Sequence, residues 1–443
     1  MNRRELLASA GALTMVGCGA PQQGQQAASA ASGAPVALKG DPFAASRLMS
    51  DVETYVRFGM HRTGSEGDVA TSEWFAKRWT ELGYEIEQTA FPTPNADTTM
   101  ACVSAGGQVV DGFAQPPLSF TPEGGITAQL ARWNPKSIAD VTGSIAVVHI
   151  PRQPGAPAAM AAYRDAFQGA AKAGAVGVIG VTASASSEVF AINTPAEMYQ
   201  EAPVLCVGEK DKARIDAMLA AGAPAKLEIR GPGGFRNGKN TVARRGTAGP
   251  WIIVSTPQSG WFTCGGERGP GIAMSLALSA WAAAQSFPCR FLFVATSGHE
   301  WADAGAHIFH QGQAPDPKET ALWVHLGASF GARGYEETAA TLKSVETPNL
   351  ARTLMASPDL APLCQAAFAG QPVIEQPLPA DIGKSAGEYT LVLKEGYPSS
   401  FGFWGMHGLF HTPLDDAKAT SGAIMEPIVR AIAKVIEQKV AQS

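Results

Sequence analysis

Hydrophobic positions fall into three regimes along the chain. Between Ser46 and Pro92 the apolar residues Val52, Val56, Phe75 and Trp79 keep helical spacing, and the polar stretch His61–Asp68 interrupts them. This predicts helix, loop and helix, then a strand reached through Glu81–Phe91. From about Thr98 to Gly234 the apolar runs shorten and alternate with Gly and Pro turns. They predict a strand ending near Ile150, an amphipathic helix feeding an apolar strand at Val176–Val181, a strand at Ala202–Gly208 and a helix over Lys212–Gly222. From about Asn237 to Ser443 longer apolar elements return. Strands are expected at Ile252–Val254, from Phe291, and at Ala321–Ser329, with helices at Met274–Ala284 and Met425–Lys439. The stretch Phe291–Phe309, FLFVATSGHEWADAGAHIF, breaks its apolar run at Ser297 and Gly298, and His299 and Glu300 follow at the turn. A polar pair at the carboxyl end of a buried strand is where open α/β sheets place their chemistry.

Composition narrows the function classes. At 443 residues, with 45% hydrophobic and only 16% charged, the chain is long enough for two or three domains with proper cores. A net charge of −5 argues against electrostatic nucleic-acid binding, so no nucleic-acid partner is expected. The 48 Gly and 31 Pro are scattered and read as turns, with no low-complexity array. Arg3 and Arg4 precede an apolar run, Leu6 to Val16, too short to span a membrane as a mature helix. The segment resembles a twin-arginine signal, and MVGC, ending at Cys18, resembles a bacterial lipobox. The expectation is an exported protein, periplasmic or membrane-anchored, touching the membrane only through a lipid on Cys18. A plain signal peptide cut nearby is the alternative. Gln22 to Pro35 reads as a flexible tether, which leaves residues 1–40 outside the fold. The remaining cysteines, 102, 206, 264, 289 and 364, are odd in number and widely spaced, so no disulfide framework is expected.

Two resemblances organise what is left. Asp140–Ile179 follows the hallmark "D-V-x-G-K-I … A-x-x-A-G-A-x-G-V-I" of protease-associated domains, so residues 98–236 are expected to form an inserted, mainly-β domain of that kind. FVATSGHEWADAGAHIF is similar to "F-V-A-F-S-G-E-E-x-G-L-x-G-S-x-x-F" of the co-catalytic zinc exopeptidases, which include bacterial leucyl aminopeptidases, glutamate carboxypeptidase and glutaminyl cyclase. IIVSTPQS, GGERGPGIA and FHTPLDD parallel three further motifs of that family, in the right order. The resemblance implies an α/β fold with a mixed central sheet and helices on both faces, built from residues 41–97 and 237–443.

Family members hold two zinc ions through two histidines, a bridging aspartate, a further aspartate and a glutamate, while a second glutamate acts as general base. Carried over, the first histidine falls on Pro257, the bridging aspartate on Glu267 and the base on His299. The glutamate ligand falls on Glu300, the last aspartate near Gly327 and the final histidine on His411. Pro257 and Gly327 have no ligand atoms, so each metal of a standard pair would lose a ligand.

Three readings follow. In the first, one zinc is held by a rearranged set, with Glu300, His411 and His325 as ligands and His299 and Glu267 catalytic. The second has no metal: Cys264 or Ser259 is the nucleophile, His299 or His411 its base, and Glu267 or Glu300 the orienting group. The third is a binding module without turnover. Arg268, Trp261, Cys264 and Ser259 are the expected substrate contacts, and a small peptide or other amide-containing molecule is the expected substrate. Blander roles stand beside these: Glu267–Arg268 as an ion pair holding the glycine turn, Cys264 as a packed thiol, His307 and His310 on the surface, and His61 as a solvated loop residue.

Overall fold

The computed structural model describes residues 34–134, 140–153, 156–196, 200–338 and 342–442. The signal-like segment and Cys18 lie outside the described residues. Eight strands form the main sheet, in the order Glu85–Pro94, Phe235–Arg245, Arg290–Thr296, Trp251–Pro257, Thr320–Leu326, Ser400–Gly405, Arg352–Ala356 and Leu378–Pro379. The middle four, from Arg290–Thr296 to Ser400–Gly405, are parallel, and the strands on either side of them pair antiparallel. Parallel strands are covered on both faces, which is why FLFVA and WIIV within these strands read as continuous apolar runs.

Alternate residues feed the two faces. Val254, Phe293 and Val324 pack against Val52, Phe75, Trp79, Ile272 and Met425, from the helices Ala45–Arg57, Glu66–Glu81, Gly269–Ala283 and Gly422–Val440. Ile253, Leu292 and Val294 pack against Phe309 of Ala304–Gly312 and against Tyr389 and Val392 of Tyr389–Lys394. The mixed sheet with helices on both faces is thus as the sequence implied. Helix Gly269–Ala283 begins at Gly269, earlier than the expected Met274. Gly271 permits this, because a Cβ there would lie 2.6 Å from Thr256 Oγ1 on the neighbouring strand. At the amino end, Val36 N donates to Ala283 O at 2.8 Å, so packed chain starts before residue 41.

Residues between Met100 and Arg230 build two sheets of their own, of four and five strands, with the helices Ala156–Lys172 and Lys212–Ala221. Residues of turns that follow main-sheet strands enter the cores of this insert: Trp301 joins one apolar cluster and Phe410 another. Among the described residues no helix is long and apolar enough to cross a membrane. Cys102, Cys206, Cys264, Cys289 and Cys364 are free and buried.

The loop His61–Asp68 departs from expectation. His61 is fully buried and stacks on Tyr55, with ring centroids 3.7 Å apart, and neither ring nitrogen has a hydrogen-bond partner. The helix pair closes over the loop, so a residue that reads as polar and solvated is packed as an aromatic. Burial holds its pKa down to about 3. Below the ordinary value of 6.5 the unfolded chain takes up a proton that folded His61 refuses until near pH 3. Stability conferred by neutral His61 is therefore present above pH 6.5 and lost as the pH falls through this window, by about 1.4 kcal/mol per pH unit. His61→Phe keeps the stack on Tyr55 and removes the titration. Urea unfolding between pH 6.5 and 4.5 should give a shallower loss of stability for the variant, and parallel curves would refute the assignment.

Candidate functional site

The carboxyl ends of the central strands carry a cluster of buried polar side chains. One wall is the turn that starts helix Gly269–Ala283. Arg268 Nη2 lies 2.8 Å from Glu267 Oε1, and Arg268 Nε donates to Ser259 O at 3.0 Å, with both side chains buried. His411 Nε2 faces Glu267 Oε1 at 3.4 Å, while His411 Nδ1 donates to Ala191 O of the insert at 2.9 Å. Asp415, from the same FHTPLDD stretch, accepts from Gly266 N and Glu267 N at 2.6 and 3.1 Å and fixes the turn. His407 reaches Asp415 at 3.1 Å and Ser329 at 3.0 Å, so it braces this wall from behind. Burial alone would raise the carboxyl of Glu267, but Arg268, His411 and His299 outweigh it and hold the pKa down to about 2.

The opposite wall is the SGHE turn. Gly298 takes φ 88°, a single 3-10 turn covers His299–Trp301, and Ala302 and Asp303 both lie in the left-handed region at φ 55° and 60°. Two consecutive non-glycine residues there are costly, by roughly 1–3 kcal/mol each. The result brings Asp303 Oδ1 to 2.8 Å from His299 Nδ1. Glu388 Oε1, from the start of helix Tyr389–Lys394, stands 3.7 Å from the same nitrogen, and Thr296 Oγ1 donates to Glu388 Oε2 at 2.6 Å. Burial and Arg268 would lower the pKa of His299, but Asp303 and Glu388 raise it to about 9. The residue type expected at this position was anticipated; its two carboxylate partners were not. Asp303 had a local signal, the i,i+4 spacing from His299. Glu388 had none, since it lies far downstream in the polar stretch DIGKSAGE.

The structure gives several of the expected site residues other partners. Glu300 is not presented to the cleft as a ligand: its oxygens accept from Thr63 N at 2.7 Å, Thr63 Oγ1 at 3.1 Å and Ser259 Oγ at 2.6 Å. The Ser259 hydroxyl, expected as a nucleophile or substrate contact, donates to Glu300 and accepts from Gly298 N at 3.0 Å. Cys264 is fully buried with Tyr55 OH 3.1 Å from its sulfur, and burial followed by the charge of Glu267 pushes its thiol well above the ordinary range. Trp261 is buried, donates to Asn193 Oδ1 at 2.8 Å and packs edge-on to Phe113 and Trp301, so it docks the insert and does not line a subsite. His325 does not join Glu300 and His411 as a third ligand. Its Nδ1 lies 3.0 Å from Ser255 Oγ, and burial lowers its pKa to about 3. Among the described residues the His, Asp and Glu ligand atoms that converge are those of His299, Asp303 and Glu388.

The standard pair of zinc ions does not fit these residues. Pro257 supplies no donor, and Glu300 is engaged elsewhere. At Gly327 a Cβ would lie 2.1 Å from Phe403 O, so the strand end has no room for an aspartate. Yet the cleft is not apolar. Glu267 Oε1 and Oε2, Arg268 Nη2, His299 Nδ1, Glu388 Oε1 and His411 Nε2 are buried beside opposite charges with no aligned hydrogen bond. Buried polar atoms in that condition are costly, and a polar ligand would satisfy them.

Gly327→Asp tests the closed strand end. The variant should lose at least about 2 kcal/mol in urea unfolding through overpacking, and wild-type stability would show that the position has room for a ligand.

No known family model and no curated protein matches the sequence. Solved structures do match. A zinc aminopeptidase from Bacillus subtilis superposes with a TM-score of 0.70 at 14% identity, over 90% of this chain and 96% of that one. A peptidase precursor from Shewanella amazonensis gives 0.67 at 16%, over 89% and 96%. An aminopeptidase from Aneurinibacillus sp. strain AM-1 gives 0.60 at 15%, over 89% and 93%. Near-complete coverage of each includes the central sheet whose strand ends form the cleft. The chain has the zinc-exopeptidase fold.

Proposed function

We propose that the cleft hydrolyses an amide bond in a small peptide, by chemistry rearranged from the two-zinc arrangement implied by the resemblance. The observation that carries this reading is the convergence of unsatisfied buried polar atoms from Glu267, Arg268, His299, Glu388 and His411 at the strand ends. Neighbours of the same fold are peptidases, which supports a peptide as the substrate class. Arg268 Nη2, ion-paired with Glu267 Oε1 at 2.8 Å, has a second N–H to offer a substrate carbonyl and the oxyanion that develops from it. His411 donates from Nδ1 to Ala191 O, which directs Nε2 to take a proton from the attacking water and return it to the departing amine. Glu267, ionised at neutral pH, then stabilises the imidazolium that forms 3.4 Å away. A binding module without turnover is the second reading, favoured by the loss of donors at Pro257 and Gly327.

A panel of dipeptides and aminoacyl amides separates the two. Turnover should fall about 100-fold in kcat for Arg268→Lys with a smaller change in KM, since an oxyanion donor acts in the transition state. Peptide binding by calorimetry without turnover would favour the module, and neither binding nor turnover would remove both readings. The insert, which we assign as a protease-associated domain on its Asp140–Ile179 pattern, covers the cleft through Ala191 and Asn193 and suits short substrates. Export with a lipid on Cys18 belongs to the same proposal and rests on Arg3, Arg4 and MVGC. Labelled palmitate should enter the full chain in a bacterial host and be lost in Cys18→Ala; equal labelling of both would rule the anchor out.

A further inference from the structure

We infer that His299, Asp303 and Glu388 form a binding site for one divalent cation of the zinc type, at a place other than the metal positions carried over from the resemblance. His299 Nδ1, an Asp303 oxygen and a Glu388 oxygen all lie within 4.8 Å of one another. Zinc held at its usual bond lengths needs donors roughly 3.3 Å apart. The distances from His299 Nδ1 to Asp303 and Glu388, 2.8 and 3.7 Å, bracket that value. Three donors with one imidazole are a complete protein set for a catalytic-type site, which keeps a further position for water or ligand.

The orphaned atoms make this more than a cluster of acids. Glu388 is buried, yet its Oε1 has no aligned hydrogen bond, and it points at His299 Nδ1, which Asp303 Oδ1 faces at 2.8 Å. Thr296 holds the other Glu388 oxygen at 2.6 Å, a second layer that fixes the carboxylate's direction. The paired left-handed residues Ala302 and Asp303 turn the third donor inward. His299 and Asp303 remain partly exposed, which gives an ion a way in. A dication that displaces the proton of His299 would be faced by the carboxylates of Asp303 and Glu388. The nearby guanidinium of Arg268, which would oppose a cation, is paired with Glu267 at 2.8 Å. Cation binding here does not depend on whether the cleft hydrolyses peptides.

The test is titration of the full-length, chelator-stripped protein with Zn2+ by calorimetry, with Co2+ as a coloured probe. One Zn2+ per chain should bind, and Co2+ should give visible absorption bands. Asp303→Asn and Glu388→Gln should each weaken binding at least tenfold, while His411→Ala should leave it unchanged. Asp303 is partly exposed, so its variant is informative even if Glu388→Gln fails to fold. No bound zinc, zinc bound equally by Asp303→Asn, or zinc lost in His411→Ala would overturn the site. Zinc binding without peptide turnover would refute the hydrolytic reading alone. Turnover in a chain that binds no metal would refute this inference alone.

Discussion

The carboxylate of Glu300 takes hydrogen bonds from both polar groups of Thr63 and from the Ser259 hydroxyl, and most of the site's geometry follows from that arrangement. Thr63 belongs to the loop between the first two helices, Ser259 to the stretch after strand Trp251–Pro257, and Glu300 to the turn after strand Arg290–Thr296. One buried acid therefore ties three distant pieces of chain together at the sheet's carboxyl edge. Hydrogen bonds to a buried charge are the stronger kind, about 1.5–3 kcal/mol each. The neighbouring Asp68 reinforces the same junction: it accepts from Gly64 N, Ser297 Oγ and Gln258 Nε2 at 2.8 to 2.9 Å.

The insert takes part in the site and is more than a cover. Ala191 O sets which nitrogen of His411 carries the proton, and Thr194 N donates to Glu300 O at 2.9 Å. Trp261 reaches across to Asn193, and Trp301, next to Glu300, is buried in the insert's own core. Displacement of the segment 190–194 would therefore release both histidine-bearing and glutamate-bearing turns at once. Geometry of the cleft and seating of the insert are one property.

Much of the fold was legible because parallel strands buried on both faces leave continuous apolar runs, as within Trp251–Pro257 and Arg290–Thr296. The position of the cleft was legible for the same reason: SGHE stops such a run. The roles within it were harder to read. Side-chain type at a motif position does not say which way a carboxylate turns, and Glu300 turned toward Thr63. Asp303 carried only the i,i+4 spacing from His299 as a signal, and its left-handed backbone shows how it is aimed. Glu388 is brought to His299 by the crossing of the chain over the sheet, which no local pattern encodes. His61 shows the converse error: a polar loop sequence that the helices bury completely.

On this fold the proposed cation centre lies at His299, Asp303 and Glu388, apart from the ligand positions that the resemblance implies. The most direct measurement is anomalous diffraction at the zinc edge from crystals of the zinc-loaded protein. A single peak among His299, Asp303 and Glu388, with Glu300 still bound to Thr63 and Ser259, is the predicted result. Two peaks about 3.5–4 Å apart flanking Glu267, with Glu300 and His411 as ligands, would contradict it.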